Sequence, residues 1–582
     1  MKRILYNGIK IVLFSIVPIM VFYLMEGYEH NAFEEVRETA QRYNIILFEL
    51  IAWILFFAFG SSRIALRVEI GIAMLYGLIN HYVMAFRSTP FVPWDIFSIE
   101  TAASVAGNYD FTPTTEVITV SLAFVILFVL VQLIDLKFPY GISLRVVPVL
   151  CGSLILGGFV NLLWDEDFQT NSNLYPYLFT PSYMTKVNGM AVTFAMDLAY
   201  VYVEKPLGYS VKEVEEVLES YENPSGNLTG EEEETPNIIV IMNEAFSDLD
   251  VLGEFETSEE YMPFIDSLQD GNENTITGEL TVSVCGGNTA NSEFEFLTGH
   301  TMDFFPIGSI PYQQYIKDEL PSLASQLRDM GYDTYGMHPY NASGWCRDDV
   351  YPWLGFNTSY FVKDFSNRLY IRDYVSDKTA YDKIIDVYED HEDGKPLFIF
   401  EVTMQNHGSY SGEHENYTPD ITVTGSSNYG LKQYLSLIKE SDKQLQRLIE
   451  YFAKEEEDTI IVFFGDHQPS DYIANQIFRL SGVNPANLTE EQALLRYQVP
   501  YVIWANYDID EATGVDMDIS FLAANVLETA NMETTAYQNF LLEYEAVLME
   551  NDGTEEAEKR VEEYEELHQK LQYYYMFDYQ EE

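Results

Sequence analysis

The sequence predicts a membrane domain of five spanning helices followed by an α/β domain. Three observations indicate this organisation. Five long apolar runs fall within the first 165 residues, short β-branched segments alternate with amphipathic ones after residue 236, and a Pro/Gly/Glu-rich stretch separates the two regions. At 582 residues the chain is also too long for one ordinary domain. We predict a membrane domain over 1–165, interfacial helices and a linker over 166–235, an α/β domain over 236–545 and an acidic helical tail over 546–582.

Each apolar run reaches or approaches the length that a helix needs to cross a bilayer, which is about 20 residues. A signal peptide would give one such run and a cleavage site, and a soluble helical domain would carry charged faces within the runs. The pattern therefore predicts a multi-pass integral membrane protein. The five runs are 9–25, 44–60, 68–86, 116–134 and 146–164.

Basic residues in the short loops predict the orientation of these helices. They open the first run and lie between the second and third runs and between the fourth and fifth, whereas the loop "EGYEHNAFEEVRE" after the first run is acidic. By the positive-inside rule the N-terminus is cytoplasmic. An odd number of crossings then places everything beyond about residue 165 outside the cell membrane. The basic residues are Lys2, Arg3, Lys10, Arg63, Arg67, Lys137 and Arg145.

The segment after the last run is aromatic and apolar but broken by polar residues. In particular, "MAVTFAMDLAYVYVEKP" is too polar for a sixth crossing, so we expect an interfacial amphipathic helix there. A short helix at "VKEVEEVLESY" precedes the linker at 222–236.

Beyond the linker, apolar segments of strand length alternate with amphipathic segments of helix length. Examples of the latter are "LPSLASQLRDMG" and "SLIKESDKQLQRLIEYFAKE". This alternation is typical of a sheet that helices cover on both faces. The predicted strands are 238–242, 332–337, 396–403, 459–464 and 500–505.

The charge balance limits what the protein can bind. With 32 basic and 91 acidic residues, the formal net charge is −59, which argues against nucleic acid as a partner. An anionic substrate would need local cations, such as a metal, an arginine or a protonated histidine. The three cysteines are too few for a disulfide framework, and we do not expect a Cys285–Cys346 bridge.

Acidic and imidazole side chains follow four of the predicted strands. Glu244, His338 and His407 each come at or just after a strand, and Asp466 and His467 follow another. Taken singly, such residues are usually helix N-caps or ordinary surface and core groups. In open α/β sheets, however, ligands bind beyond the carboxyl ends of the strands. Together the five residues predict one site at that edge.

Carboxylate oxygens with imidazole suit Mn²⁺, Mg²⁺ or Zn²⁺, and C-x₂-C spacing for structural zinc is absent from the sequence. The stretch "TVSVCGGNTANSEFEFLTG" offers two nucleophiles, Cys285 and Thr289. Hard oxygen ligands favour Thr289, whose hydroxyl a metal would make more acidic. Gly286 and Gly287 let the backbone approach a phosphoryl group, which would face the N-terminus of the following helix. The alternative is that Thr289 is only an N-cap. Cys285 is then a packing residue in either case.

These residues also stand in motifs that resemble a known family. In order, "RSTPFVPWDIFS", "NEAF", "GGNTANSEFEFLTG", "HPYNASGWCRDDVYPWLGF", "QNHG" and "GDHQP" resemble the motifs of lipoteichoic acid synthase-like phosphoglycerol transferases. These are membrane-anchored members of the alkaline phosphatase/sulfatase superfamily. The resemblance implies a sulfatase-like α/β domain with a mixed, mostly parallel central sheet, exposed outside a bacterial cell membrane.

The resemblance also implies roles for individual residues. The threonine is the nucleophile, and a divalent metal, usually manganese, is held by Glu244, Thr289, Asp466 and His467. The glycerophosphate group is contacted by His338, Trp345, Arg347 and His407. Of these, Arg347 would clamp phosphate oxygens, Trp345 would wall the glycerol, and His407 would protonate the leaving group or activate the acceptor.

The implied reaction moves sn-glycerol 1-phosphate from phosphatidylglycerol, through a glycerophosphoryl-threonine, to a glycolipid, polyglycerophosphate or glycan acceptor. A phosphoethanolamine transferase is the nearest alternative. A sulfatase would need a C-x-P/A-x-R motif, whereas Cys285 is followed by Gly-Gly-Asn-Thr. A sensor or scaffold would lack a ligand, and none is missing. The lead-in from Cys285 to Asn288 departs from the family pattern and leaves the acceptor and chain lengthening open.

Overall fold

The chain forms two compact units in a computed structural model. One unit runs from the N-terminus to residue 202, apart from the segment 97–108, and the other comprises residues 203–582. The structure describes residues 2–87, 90–98, 111–139, 141–175, 181–201, 203–222, 235–306, 309–392 and 394–579. Most of the predicted linker, residues 223–234, lies outside this set.

The N-terminal unit is helical. Among the described residues, four helical segments are long and apolar enough to cross a membrane, namely Gly8–Glu26, Glu38–Phe59, Thr115–Leu133 and Ser143–Leu163. They correspond to four of the five predicted crossings. The remaining one lies in a continuous 26-residue helix, Ser62–Arg87, which is long enough to cross a bilayer and also contains the polar residues Arg67, Glu69 and His81. The helices of this unit are Lys2–Glu26, Ala32–Glu35, Glu38–Phe59, Ser62–Arg87, Thr115–Leu130, Ile142–Leu163, Glu166–Asn171, Pro181–Asn188 and Met190–Asp197.

The second unit is built on an eight-stranded sheet with the order β10-β2-β9-β8-β1-β7-β3-β4. All five predicted strands are present, as β1, β3, β7, β8 and β9. The sequence did not reveal β2, β4, β10 or the small β5–β6 hairpin, because these strands are short or rich in Thr, Gly and Glu. The strands are β1 Asn237–Asn243, β2 Thr275–Thr281, β3 Asp333–His338, β4 Thr358–Phe361, β5 Tyr370–Ile371, β6 Tyr374–Val375, β7 Leu397–Val402, β8 Thr459–Gly465, β9 Gln498–Ala505 and β10 Met517–Asp518.

The sheet is mixed and mostly parallel. Strands β8, β1, β7, β3 and β4 are parallel neighbours, and Ile238 of β1 pairs with Phe398 of β7 and Ile460 of β8. Strand β9 runs antiparallel to both β8 and β2. The carboxyl ends of β1, β3, β7 and β8 therefore meet at one edge, as predicted.

Helices cover both faces of this sheet. Every residue of β1 is buried, and alternate residues enter different cores, with Val240 in one and Ile239 and Ile241 in the other. A buried strand of this kind reads as a continuous apolar run, which is why the sequence revealed it. The helices are Val211–Tyr221, Pro263–Gln269, Thr289–Thr298, Pro311–Gln314, Leu323–Asp329, Arg347–Trp353, Asp377–Glu389, Tyr429–Phe452, Asp471–Leu480, Glu490–Leu494, Ile519–Thr529, Ala536–Met549 and Glu555–Tyr573.

The acidic tail forms a helix, Glu555–Tyr573, whose last turns are buried. The Tyr537 hydroxyl lies 2.9 Å from His568 Nε2, and Leu571 is fully buried in the main core. The tail therefore packs on the α/β unit through these residues, while its first turns remain exposed.

Candidate active site

Three buried side chains at the carboxyl edge of the sheet form a candidate metal site. Glu244 follows β1, whereas Asp466 and His467 follow β8, the neighbouring parallel strand. One ligand atom from each lies within 4.8 Å of the other two. Asp466 Oδ2 is 3.3 Å from His467 Nε2, and Glu244 Oε1 is 3.9 Å from the same nitrogen. The strand pairing thus brings together three of the four predicted ligands.

The chemical state of these donors suits a divalent cation. His467 Nδ1 lies 2.9 Å from the Gln468 carbonyl oxygen, so an N–H at Nδ1 would donate to that oxygen and Nε2 would be the nitrogen available to a metal. Asp466 Oδ2 and His467 Nε2 are buried without a hydrogen-bond partner among the described residues. Burial raises the pKa of Glu244, and the neighbouring Asp466 raises it further. A cation would provide a partner for the two unpaired atoms and reduce the repulsion between the two carboxylates.

Thr289, the predicted nucleophile and fourth ligand, lies beside this cluster. Its Oγ1 donates to Glu244 Oε2 at 3.5 Å. Burial raises the pKa of Asp466 as it does that of Glu244, and the Thr289 hydroxyl offsets part of the rise at both carboxyls. It is the first residue of the helix Thr289–Thr298, preceded by Asn288 in a left-handed conformation with φ 68°. Unpaired N–H groups at a helix N-terminus attract anions. A phosphoryl group at Thr289 Oγ1 would meet that N-terminus.

The nucleophile helix, as we call Thr289–Thr298, is tied to the loop that carries the metal donors. The Gly286 N–H donates to the Gln468 carbonyl at 2.8 Å, and Ser292 Oγ donates to the Asp466 carbonyl at 2.6 Å. Gly286 has φ +72°, and a Cβ there would lie 3.1 Å from Ser470 Cα. A side chain at this position would therefore strain the backbone and push the two loops apart.

The turn after β1 holds Glu244 in place. Ala245 has φ 48°, which is unfavourable for alanine, and its N–H donates to Asp466 Oδ1 at 2.6 Å. Across the turn, a Cβ on Gly465 would lie 1.9 Å from the Phe246 carbonyl oxygen, so only glycine fits. The metal donors are thus positioned by close backbone contact as well as by strand register.

The two predicted substrate histidines are neutral. His338 ends β3, and its Nδ1 contacts the Val402 carbonyl at 2.8 Å. Burial lowers its pKa well below the usual value, and so does the nearby charge of Arg347. Burial lowers the pKa of His407 to about 4, with a further contribution from repulsion by His467. His407 Nδ1 contacts the Gly408 carbonyl at 2.8 Å and the Tyr374 hydroxyl at 3.0 Å.

Arg347 forms a buried ion pair rather than presenting its whole guanidinium to a ligand. Its Nε donates to both Glu293 oxygens, at 3.0 and 3.2 Å, and its Nη2 contacts Glu293 Oε1. Nη1 reaches the Gly344 carbonyl at 3.4 Å. Glu293 lies one turn after Thr289 and also accepts from the Tyr351 hydroxyl at 2.9 Å. Sequence reasoning missed Glu293, although an acidic residue in a fully buried helix requires a buried partner.

Trp345 and Cys285 lie close to the site in sequence but contribute no metal donor in the structure. Trp345 is half-buried against the main core. Trp345 and Cys346 both have a positive φ, 57° and 58° respectively. Two consecutive left-handed non-glycine residues mark a strained turn just before Arg347. Burial raises the pKa of Cys285, which fits a packing role. The structure gives no disulfide at Cys151, Cys285 or Cys346, which agrees with the expectation that Cys285 and Cys346 are not bridged.

A polar network beneath the site was also missed by sequence reasoning. Asn243 Nδ2 donates to Asp377 Oδ2 at 2.9 Å, and Asn406 Nδ2 donates to Asn243 Oδ1 at 2.9 Å. Ser441 Oγ donates to Asp377 Oδ2 at 2.5 Å, which closes the network. Since Asn243 precedes Glu244 and Asn406 precedes His407, the network couples the positions of two site residues.

Arg372 is a further buried cation that the sequence did not single out. Its Nη2 donates to the carbonyls of Gln405 and His407 at 2.7 and 2.9 Å, and its Nη1 donates to the Ser409 carbonyl at 3.0 Å. The guanidinium also lies over the Tyr374 and Tyr410 rings, at 5.5 and 5.4 Å. Arg372 therefore fixes the backbone on both sides of His407.

Replacing Arg372 with lysine should misplace His407. One ammonium group cannot donate to three carbonyls in the geometry of a guanidinium fork, so we expect turnover to fall by roughly 100-fold. Metal binding should be retained, because Arg372 contacts none of the metal donors. Steady-state kinetics and metal titration of Arg372→Lys, with the exposed neighbour variant Arg368→Lys as control, would measure this. Full turnover in Arg372→Lys would contradict the assignment.

Known proteins resemble this chain in sequence and in fold. A putative cyclic beta-1,2-glucan modification protein of Rhizobium meliloti (strain 1021) is 28% identical over 501 residues, which cover 83% of this chain and 76% of that protein. A solved structure of Streptococcus pyogenes phosphoglycerol transferase GacH with sn-glycerol-1-phosphate aligns at TM-score 0.52 and 23% identity, over 64% of this chain and 94% of that one.

A second solved structure shares the fold over a longer stretch. The lipooligosaccharide phosphoethanolamine transferase A (EptA) of Neisseria meningitidis, an integral membrane protein, aligns at TM-score 0.52 and 13% identity, over 90% of this chain and 95% of that one. The family profile described as Sulfatase matches residues 236–532, which is more than half of the chain. The chain therefore belongs to the sulfatase family.

Proposed function

We propose that the protein is a membrane-anchored phosphoglycerol transferase. In this proposal it moves sn-glycerol 1-phosphate from phosphatidylglycerol to a glycolipid, polyglycerophosphate or glycan acceptor. The observation that carries the proposal is the Thr289 hydroxyl, which lies 3.5 Å from Glu244 within a three-donor metal cluster and at a helix N-terminus. A hydroxyl nucleophile, a cation site and an anion-attracting helix end together suit phosphoryl transfer.

We assign the metal site to Glu244, Thr289, Asp466 and His467, with Mn²⁺ as the preferred ion and Mg²⁺ or Zn²⁺ as alternatives. Asp466 Oδ2 and His467 Nε2 are buried without a hydrogen-bond partner among the described residues, and the carboxylates of Glu244 and Asp466 repel each other. A divalent cation would satisfy both atoms and offset the repulsion. When bound, such an ion lowers the pKa of an adjacent hydroxyl and stabilises negative charge on phosphoryl oxygens.

The reaction then has two displacements at phosphorus. Thr289 Oγ loses its proton and bonds to the phosphorus of phosphatidylglycerol, the bond from phosphorus to the diacylglycerol oxygen breaks, and that oxygen takes up one proton, so the proton count is unchanged. A hydroxyl of the acceptor next bonds to phosphorus and loses its proton, while the bond to Thr289 Oγ breaks and Thr289 regains its hydroxyl. The products are diacylglycerol and a glycerophosphorylated acceptor.

We assign substrate contacts to four residues. His407, with its pKa near 4, is neutral at physiological pH and suits accepting the acceptor's proton, for which Nε2 is the candidate atom because Nδ1 faces the Gly408 carbonyl. Of the five N–H groups of Arg347, Glu293 and Gly344 account for three, and we propose that the others contact the phosphate. His338 and Trp345 would line the glycerol.

We propose that the four to five apolar helices make the protein a multi-pass cell-membrane protein whose α/β unit is extracytoplasmic. This location keeps Thr289 near lipid head groups, which raises their effective concentration. The fold of the described residues 203–579 and the sulfatase family support an enzyme that works on phosphate or sulfate esters. The name of the Rhizobium relative supports a glycan as acceptor.

A phosphoethanolamine transferase is the second candidate, because EptA aligns over 90% of this chain. Donor lipid separates the two. Detergent-solubilised protein incubated with Mn²⁺ and labelled lipid should release diacylglycerol from phosphatidylglycerol much faster than from phosphatidylethanolamine. The reverse preference would overturn the phosphoglycerol proposal in favour of the second candidate. Release from neither lipid would overturn both.

Removal of the metal should stop the reaction. We expect diacylglycerol release to fall to background in EDTA and to return when Mn²⁺ is added, because the buried atoms Asp466 Oδ2 and His467 Nε2 have no hydrogen-bond partner among the described residues. An Asp466→Asn variant should stay inactive after Mn²⁺ addition. Undiminished release in EDTA, with the metal content verified as zero, would show that the reaction does not need the ion.

A further inference from the structure

A large cleft lies at the far end of the nucleophile helix from Thr289. Its volume is about 980 Å³, and it is lined by Leu297 to His300, by residues around Ser322 and by residues around Tyr537. At 1.5 Å per residue, the ten-residue helix separates it from Thr289 by roughly 14 Å. None of the residues assigned above to metal or substrate lines it.

The floor of the cleft is buried and carries no carboxylate. Its buried lining includes Thr298, His300, Ser322, Ser520 and Tyr537, interspersed with leucine and alanine. His300 is 1% exposed, its Nδ1 lies 2.8 Å from the Tyr537 hydroxyl, and its Nε2 has no hydrogen-bond partner in the described part of the chain. Such an atom indicates a missing polar partner.

Acidic groups lie only at the rim. Asp318, Glu319, Asp329 and Glu533 line the cleft and are all exposed, and Arg328, which also lines it, pairs with Asp329 at 3.1 Å. This rim repels phosphate and other anions. The carboxylate-free floor offers no counter-charge to an organic cation. A neutral ligand fits both regions.

The walls combine aromatic faces with fixed amides. Trp353, Tyr575 and Tyr579 are half-buried and line the cleft. Gln538 Nε2 donates to Gln326 Oε1 at 2.7 Å, and Gln326 Nε2 donates to the Glu533 carbonyl at 3.0 Å. Each amide group retains further donor and acceptor capacity in a fixed orientation. A sugar ring suits such walls, because its apolar face can stack on an aromatic side chain while its hydroxyls form hydrogen bonds with the amides.

We propose that this cleft binds a neutral oligosaccharide and thereby holds the glycan acceptor at a distance from Thr289. The proposal rests on the transferase function above. It identifies the acceptor as an uncharged glycan long enough to bind in the cleft while its reacting hydroxyl reaches Thr289. The grip would raise the effective concentration of the acceptor's reacting hydroxyl without occupying the reaction centre.

The test uses the full-length Thr289→Ala protein in nanodiscs, titrated with a neutral gluco-oligosaccharide by calorimetry. We expect saturable binding that weakens about 10-fold on adding Gln326→Ala or Trp353→Ala. The exposed-surface change Gln446→Ala serves as control and should have no effect. Choline and a sugar phosphate are titrated in parallel, and both should bind more weakly than the neutral sugar. Thermal melts of every variant establish that it is folded.

Three results would overturn the proposal. The sugar could show no saturable binding, both cleft variants could leave sugar binding unchanged, or choline or the sugar phosphate could bind more tightly than the neutral sugar. On the otherwise unmutated protein, Gln326→Ala should also raise the KM for the glycan acceptor about 10-fold. Failure of the transferase function is recognised separately, since it appears as absent diacylglycerol release from phosphatidylglycerol with no sugar present.

Discussion

Thr289→Ala should reduce diacylglycerol release from phosphatidylglycerol by roughly 1,000-fold or more, because it deletes the only atom that forms the covalent bond to phosphorus. The fold should persist, since the Thr289 hydroxyl interacts with the site carboxylates Glu244 and Asp466 rather than with the apolar core. Initial rates with labelled lipid and Mn²⁺, together with thermal melts, measure both effects.

Thr289→Ser is the matched control for this variant. It keeps the hydroxyl at the same position on the helix and should retain substantial activity, whereas a change of Cys285 to serine should leave the rate nearly intact. If Thr289→Ala released diacylglycerol at the normal rate while Cys285→Ser did not, the nucleophile would be Cys285 and a sulfatase-like chemistry would have to be reconsidered.

The second large effect concerns stability. Glu293→Gln should destabilise the α/β unit by about 3–5 kcal/mol, since it leaves the Arg347 guanidinium buried without its counter-charge. Arg347 is 2% and Glu293 0% exposed at the side chain, so water cannot compensate. We expect the melting temperature of the purified protein to fall by at least about 5 °C.

An exposed ion pair provides the comparison. Lys212 and Glu216 pair one helical turn apart, with 83% and 61% of their side chains exposed, and Glu216→Gln should leave the melting temperature unchanged. If Glu293→Gln had the same melting temperature as the wild type, Arg347 would not depend on Glu293 as its counter-charge. More of its guanidinium could then contact the phosphate. The two variants thus separate a structural role of Arg347 from a substrate role.

Much of the fold could be predicted because its central strands are buried on both sides. The interiors of β1 and β8 are continuous apolar runs, β7 is apolar except for Glu401, and the residues that follow these strands stand out as polar. The site residues Glu244, Asp466 and His467 were found by reading only these strand ends. In contrast, β2 contains Thr, Gly and Glu, and three of its seven residues are not fully buried, so its pattern resembles a loop.

The parts that the sequence did not reveal depend on long-range pairing. Glu293 and Arg347 are 54 residues apart, and nothing in either neighbourhood identifies the other as its partner. Arg372 binds backbone carbonyls, which carry no sequence pattern. Helix Ser62–Arg87 contains the third predicted crossing, 68–86, and at 26 residues it is long enough to span a bilayer, although it is not one of the four apolar segments described above.

The central claim is that Thr289 Oγ carries the transferred group. Peptide mass spectrometry after brief incubation with phosphatidylglycerol and Mn²⁺, without acceptor, tests it most directly. We expect one glycerophosphoryl group on the peptide that contains Thr289, absent in Thr289→Ala and lost when an acceptor is added. A glycerophosphoryl group on any other residue, or diacylglycerol release at full rate with no adduct at any quench time, would contradict it.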